Sequence, residues 1–304
     1  MSIHLSAQND YTQYYNLINR GYTEYANKEY QKAIEIFDMA FSNYYPFPDD
    51  VNMLKKCYLA IDNKQKAYET MRRMVLCGFK LESSIPLVNS NTALEGYRTD
   101  TGSGDSILEQ KLAQEYPKLR AEYLKNIDWE SDQYLKILTH FEVHTSLMRK
   151  KCTTTEQDQM IGDYGFGVEK EMFMNLMASQ KNVSRAITDT WTSNEMEVVI
   201  IHTSQSTTKE DYELYFNLLK EQVLKGNISN VQYAVCYDNY LYRHDQASYY
   251  GQQIEFNPQT GSLKCAPIDD IKHVDKRREE IGLPPLWVWG KISNIELPEE
   301  YKMN

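Results

Sequence analysis

A period of 34 residues near the start of this 304-residue chain constrains its fold more than any other feature. Ala33, Phe37 and Ala40 recur as Ala67, Met71 and Met74, and Leu17 maps onto Val51, each pair 34 positions apart. A period of roughly 20–50 residues marks stacked supersecondary units, and apolar residues three and four apart call for helices. The unit therefore reads as two antiparallel helices. Gly21 and Ala33 are small enough to let the pair approach closely, while Phe37 and Met71 fill the space between neighbours. Pro46 and Pro48 punctuate the join, and Asn63 falls in the turn of the second unit.

The segment GYTEYANKEYQKAIEIFDMA resembles a tetratricopeptide repeat. The second unit, LKKCYLAIDNKQKAYETMRRM, fits less well because Lys55 stands where Gly21 stood. The resemblance covers about residues 10 to 80 of a region drawn at residues 1–95. It implies a concave face that takes a peptide or a partner protein. Two units are fewer than the three or so that such arrays need for stability, so the block is expected to pack on the next domain. A helical brace with no partner is the alternative. Of 24 tyrosines, Tyr11, Tyr14, Tyr15, Tyr22, Tyr25 and Tyr30 crowd into this region at helical spacings. They suit interhelical packing and interfaces. Interleaved basic residues are too sparse for a nucleic-acid stacking platform.

The net charge of -10 argues against a broad duplex nucleic-acid surface, and the acidic excess lies after residue 95. No apolar run is long enough to span a membrane. Cys57, Cys77, Cys152, Cys236 and Cys265 form no CxxC pair, so free thiols are expected. The opening MSIHLSAQND has no basic leader region and no full apolar run, which reads as cytoplasmic. Leu5-Ser6-Ala7-Gln8 has the small-residue pattern of a bacterial leader's tail, so a secreted or periplasmic chain is the alternative.

Residues 96–105, GYRTDTGSGD, read as the linker to a second domain at residues 96–304. Helices are expected over about 105–125, interrupted by Pro117, and 129–148. Residues 152–167, CTTTEQDQMIGDYGFG, read as an exposed loop, with a helix from 166 to 181. Further helices are expected from Thr192, capped with Glu195, to 204, over 208–225, and from the Ser229–Gln232 capping box to 242. Residues 252–256 and 262–266 alternate about a turn, the signal of a hairpin. A last helix over 269–281 is closed by Gly282, Pro284 and Pro285. The fold class is thus mostly α: helical hairpins, then a helical domain with one small β-hairpin.

No phosphate loop, HExxH or GxSxG motif is present, and no cofactor or metal is expected. His140 and His144 are the metal-like pair, sharing one helix face. Glu142 lies about 160° around the helix from each, on the other side. Asp238 falls inside the apolar stripe of Val231, Ala234, Val235 and Leu241, where a carboxylate needs a partner. Arg278 sits on the core face of the last helix, flanked by Arg277, and His202 lies at the edge of another apolar face. Convergence of His202, Asp238 and Arg278 has two readings. One is a buried ion pair fixing helix registry. The other is a catalytic pocket with His202 as acid or base and Arg278 holding an anionic group, its mouth lined by Tyr250, Gln252 and Gln253.

The stretch from Tyr233 to Leu286 resembles the end of an uncharacterised bacterial family, the domain of unknown function numbered 6624. Asp238, Tyr250, Gly251, Gln253, an arginine at Arg277 or Arg278, Gly282, Leu283 and His202 match its pattern. Asn239, Gln252 and Ser204 depart from it. The resemblance implies a helical domain with a small hairpin and no established activity. The chain is therefore expected to be a protein-interaction or regulatory module. A small-molecule hydrolase or other acid/base enzyme using the His-Asp-Arg pocket is the competing expectation.

Overall fold

The computed structural model describes residues 10–80, 106–179, 181, 183–192, 194–257 and 261–302. The expected linker at 96–105, the Thr192–Glu195 cap and the hairpin tip lie outside the described residues. Four helices open the chain as two hairpins: α1 (Thr12–Ala26) with α2 (Tyr30–Asn43), and α3 (Pro48–Ala60) with α4 (Lys64–Leu76). The repeat is visible in the backbone itself. Lys28 and Asp62, one period apart, both turn the chain with positive φ, at 65° and 56°. A Cβ on Gly21 would lie 2.7 Å from the Phe37 ring, so the first hairpin requires glycine there. In the second hairpin Met71 replaces the ring, and Lys55 is buried in the glycine's place.

Then come α5 (Ser106–Leu124), α6 (Trp129–Arg149), α7 (Thr155–Ala178), α8 (Asn194–Gln205), α9 (Tyr212–Leu224) and α10 (Asn230–Arg243). Pro117 does not interrupt α5. It sits on the exposed side, where water replaces the hydrogen bond that its ring removes. The expected loop at 152–167 is instead mostly the first half of α7, opened by the Thr154 side chain accepting from Gln157 N–H at 3.2 Å. Its glycines are close-approach residues. A Cβ on Gly162 would lie 3.2 Å from Arg149 Nε, and one on Gly165 would collide with the Thr145 side chain of α6.

Strands β1 (Ile254–Asn257) and β2 (Ser262–Cys265) form the hairpin, with Ile254 opposite Cys265. The expected last helix is a 3-10 turn at Ile271–His273 and α11 (Val274–Glu280). Beyond it lie α12 (Leu286–Ser293) and β3 (Ile295–Glu296), which runs parallel to β2 and makes a sheet of order β1-β2-β3. The architecture is mostly helical, built of paired helices with one small open sheet. No described helix is long and apolar enough to cross a membrane. All five cysteines are free thiols.

One apolar cluster runs through both parts of the chain, joining Tyr14, Phe37, Val51 and Met71 to Phe173, Tyr215, Ile228 and Leu283. Polar bonds stitch the same boundary. Tyr15 Oη donates to Ile228 O at 3.0 Å, and Tyr11 N–H to Leu224 O at 3.0 Å. Buried Arg185 donates to Gly226 O at 2.9 Å, Pro46 O at 3.0 Å and Tyr45 O at 2.7 Å, with its guanidinium 3.9 Å from the Phe47 ring centre. Of the helices that would line a repeat groove, α3 is enclosed by this packing, with Asp50 to Lys55 buried without a break, whereas α1 keeps Gln13, Asn16 and Arg20 exposed.

Candidate functional site

The capping box of α10 forms as expected: Ser229 Oγ accepts from Gln232 N–H at 3.0 Å, and Gln232 Oε1 accepts from Ser229 N–H at 3.2 Å. It sets the register that buries Asp238 completely. Asp238 Oδ1 accepts from the N–H of Tyr249 at 2.7 Å and of Tyr250 at 3.0 Å. Oδ2 accepts from Ser248 Oγ at 2.5 Å and Gln252 N–H at 2.7 Å. Burial pushes this carboxyl up, and the donors pull against that shift. Gly251, at φ 73°, makes the turn that aims these amides inward.

The two arginines grip the same loop from outside. Arg278 donates to Tyr250 O at 2.6 Å and Pro284 O at 2.7 Å. Arg277 donates to Tyr249 O at 2.8 Å, Asp270 O at 3.1 Å and Asp269 O, and lies 4.5 Å from the Tyr249 ring centre. Tyr250 and Gln252 are buried, and Gln253 is half-buried. The loop therefore presents Tyr249 rather than Tyr250. Its ring joins Tyr212, Tyr237 and Tyr240 in an open cleft of about 580 Å³, which Leu241 and Ala247 also line and which Lys209 and Asp269 flank with opposite charge. Tyr212 and Tyr240 centre 4.8 Å apart, and Tyr237 and Tyr249 5.4 Å apart, in tilted pairs.

His202 pairs elsewhere. On α8 it is half-buried, and its Nδ1 lies 3.0 Å from Glu142 Oε2 of α6. Glu142 Oε1 accepts from Ser146 Oγ at 2.7 Å. The third member is Glu169 of α7, wholly buried, and one donor atom from each of the three residues lies within 4.8 Å of the others. No N–H or hydroxyl donates to either Glu169 oxygen, and the group facing it is the Glu142 carboxyl. Burial, with the charge of Glu142 beside it, pushes the Glu169 carboxyl up to about 10. Burial works the same way on Glu142, but His202 and Ser146 hold it below the ordinary value. His140 and His144 are exposed on the far side of α6, as the helix angle requires.

Glu169 falls in the helix expected over 166–181, but Gly162 and Gly165 imitate a loop and hide the preceding turns whose packing on α6 buries it. Glu142 carries a usable signal, standing in register with buried Leu135, Leu138 and Thr145. Tyr212, Tyr237 and Tyr249 carry only the general abundance of tyrosine. Comparison with protein-family models, curated proteins and solved structures gives no match, so fold and geometry carry the functional argument.

Proposed function

We propose that the protein is a recognition module whose tyrosine-lined cleft holds an extended, proline-bearing peptide segment. One observation carries this reading: Asp238, Arg277 and Arg278 are spent on holding the 248–252 loop, and that loop delivers Tyr249 to an open aromatic wall. Rigid tyrosines give large contact area at low entropic cost, and open aromatic grooves suit polyproline-type segments. The flanking Lys209 and Asp269 supply charges for register.

In this reading the first four helices are tetratricopeptide-like hairpins serving as a brace. The paired positive-φ turns at Lys28 and Asp62 support that assignment, and the burial of α3 argues against an open repeat groove. In the same reading, the resemblance of Asp238, Gly251 and Gly282 to the domain of unknown function numbered 6624 reflects loop architecture, a reading supported by the positive φ of both glycines. A hydrolase working through His202, Asp238 and Arg278 would require His202 to exchange Glu142 for Asp238, and Asp238 to give up backbone amides.

Fluorescence anisotropy with a labelled decaproline peptide tests the proposal. Binding in the micromolar range is expected, weakened about tenfold or more by Tyr237→Ala and by Tyr249→Ala, as for a buried aromatic anchor. Equal affinity in these variants would overturn it.

A further inference from the structure

We infer that Glu142, Glu169 and His202 form a binding site for a first-row divalent transition-metal cation, held between α6, α7 and α8 and separate from the tyrosine cleft. Glu169 points the way. Its carboxyl is wholly buried, no N–H or hydroxyl donates to either oxygen, and a second carboxyl shares the space. Two buried carboxylates repel unless a proton or a cation lies between them. A divalent ion neutralises both and takes the place of a proton shared between the two carboxyls.

The fold also delivers the ligands rather than leaving them to chance. Gly162 and Gly165 stand two turns and one turn before Glu169 on the same stripe of α7, and they let α7 close on α6. The Phe166 ring lies 4.2 Å from the His202 ring, fixing the imidazole plane. Ser146 orients Glu142 from behind, as outer-shell groups do in metal sites. Two carboxylate oxygens and one imidazole nitrogen suit zinc, iron or manganese. They are too few hard oxygens for calcium and contain no thiolate for soft ions. Three protein ligands leave a coordination position for water or an anionic ligand, approached past the 23% exposed His202 side chain.

The probe is Zn²⁺ itself, titrated calorimetrically into the full chain after chelator treatment. One equivalent is expected to bind. Glu169→Gln, and independently His202→Ala, should weaken binding roughly 100-fold or more, since even outer-shell changes cost about 10–100-fold. The His140→Ala/His144→Ala double variant should stay within about twofold, because those side chains face away from the site. Melting of each variant followed by circular dichroism separates lost binding from lost folding, and Glu142→Gln serves if either single variant fails to fold. Loss of binding in the double histidine variant, with retention in Glu169→Gln, would overturn the inference in favour of the exposed pair. Absence of binding tighter than millimolar would leave the three residues as a proton-sharing cluster and overturn it equally.

Discussion

Replacing Arg185 tests whether the two parts of the chain form one cooperative unit. Its guanidinium donates to three backbone carbonyls, two before α3 and one after α9, and lies over the Phe47 and Tyr45 rings at 3.9 and 4.8 Å. A hydrogen bond from a charged donor contributes about 1.5–3 kcal/mol, and a desolvated cation–π contact about 2 kcal/mol. The sum is offset by the desolvation of the arginine, which the variant recovers. Arg185→Ala is therefore expected to cost a net of about 3–5 kcal/mol, among the larger losses a point substitution causes. Arg185→Lys should recover less than half, because an ammonium cannot span three acceptors in a plane. Urea unfolding followed by both circular dichroism and tyrosine fluorescence measures this. The parent should unfold in a single transition seen alike by both probes. A cost below about 1 kcal/mol, or two separate transitions in the parent, would refute the reasoning.

Four other substitutions probe the sites and the helix packing behind them. In chelator-treated protein Glu169 keeps a proton that the unfolded chain loses above its ordinary pKa of 4.5, so its favourable contribution is complete below that value and is lost as pH rises toward about 10. Glu169→Gln, which mimics the neutral acid, should match the parent near pH ~4 and exceed it by up to about 3 kcal/mol at pH ~7, from ~1.4 kcal/mol per pKa unit; parallel stability–pH profiles would contradict this. Asp238→Ala strands the amides of Tyr249, Tyr250 and Gln252, and should cost about 3–5 kcal/mol in urea unfolding and lower peptide affinity. Gly165→Ala drives a methyl into Thr145 and should cost about 1–3 kcal/mol, whereas Gly167→Ala, with open space around its Cβ, should gain about 0.5–1 kcal/mol in the same assay.

The repeat was legible because its spacing reflects local geometry: the turns at Lys28 and Asp62 fall one period apart, and Ala33 and Ala67 recur with them, although Lys55 and Met71 replace Gly21 and Phe37. The capping box at Ser229 and the hairpin were legible for the same local reason. What escaped depends on contacts between distant segments. Gly162 and Gly165 carry a loop composition, yet they serve a helix pair whose partner, Thr145, lies in another element. α12 was missed because Pro284 and Pro285 read as an end, while Pro285 in fact stands immediately before a new helix. Asp238 and Arg278 were legible as buried charges needing partners. Their partners are largely backbone groups of one loop, and main-chain acceptors leave no mark in a sequence. His202 was visible at the edge of an apolar face, but its partner Glu142 showed only as a carboxylate in a buried register.

The most direct measurement is a backbone amide correlation spectrum of the isotope-labelled chain, recorded as unlabelled decaproline is added. The account predicts shifts concentrated at Lys209–Tyr212, Tyr237–Leu241, Gln246–Tyr249 and Asp269, the residues around the tyrosine cleft. Shifts confined to α1–α4, or none with millimolar peptide, would contradict it.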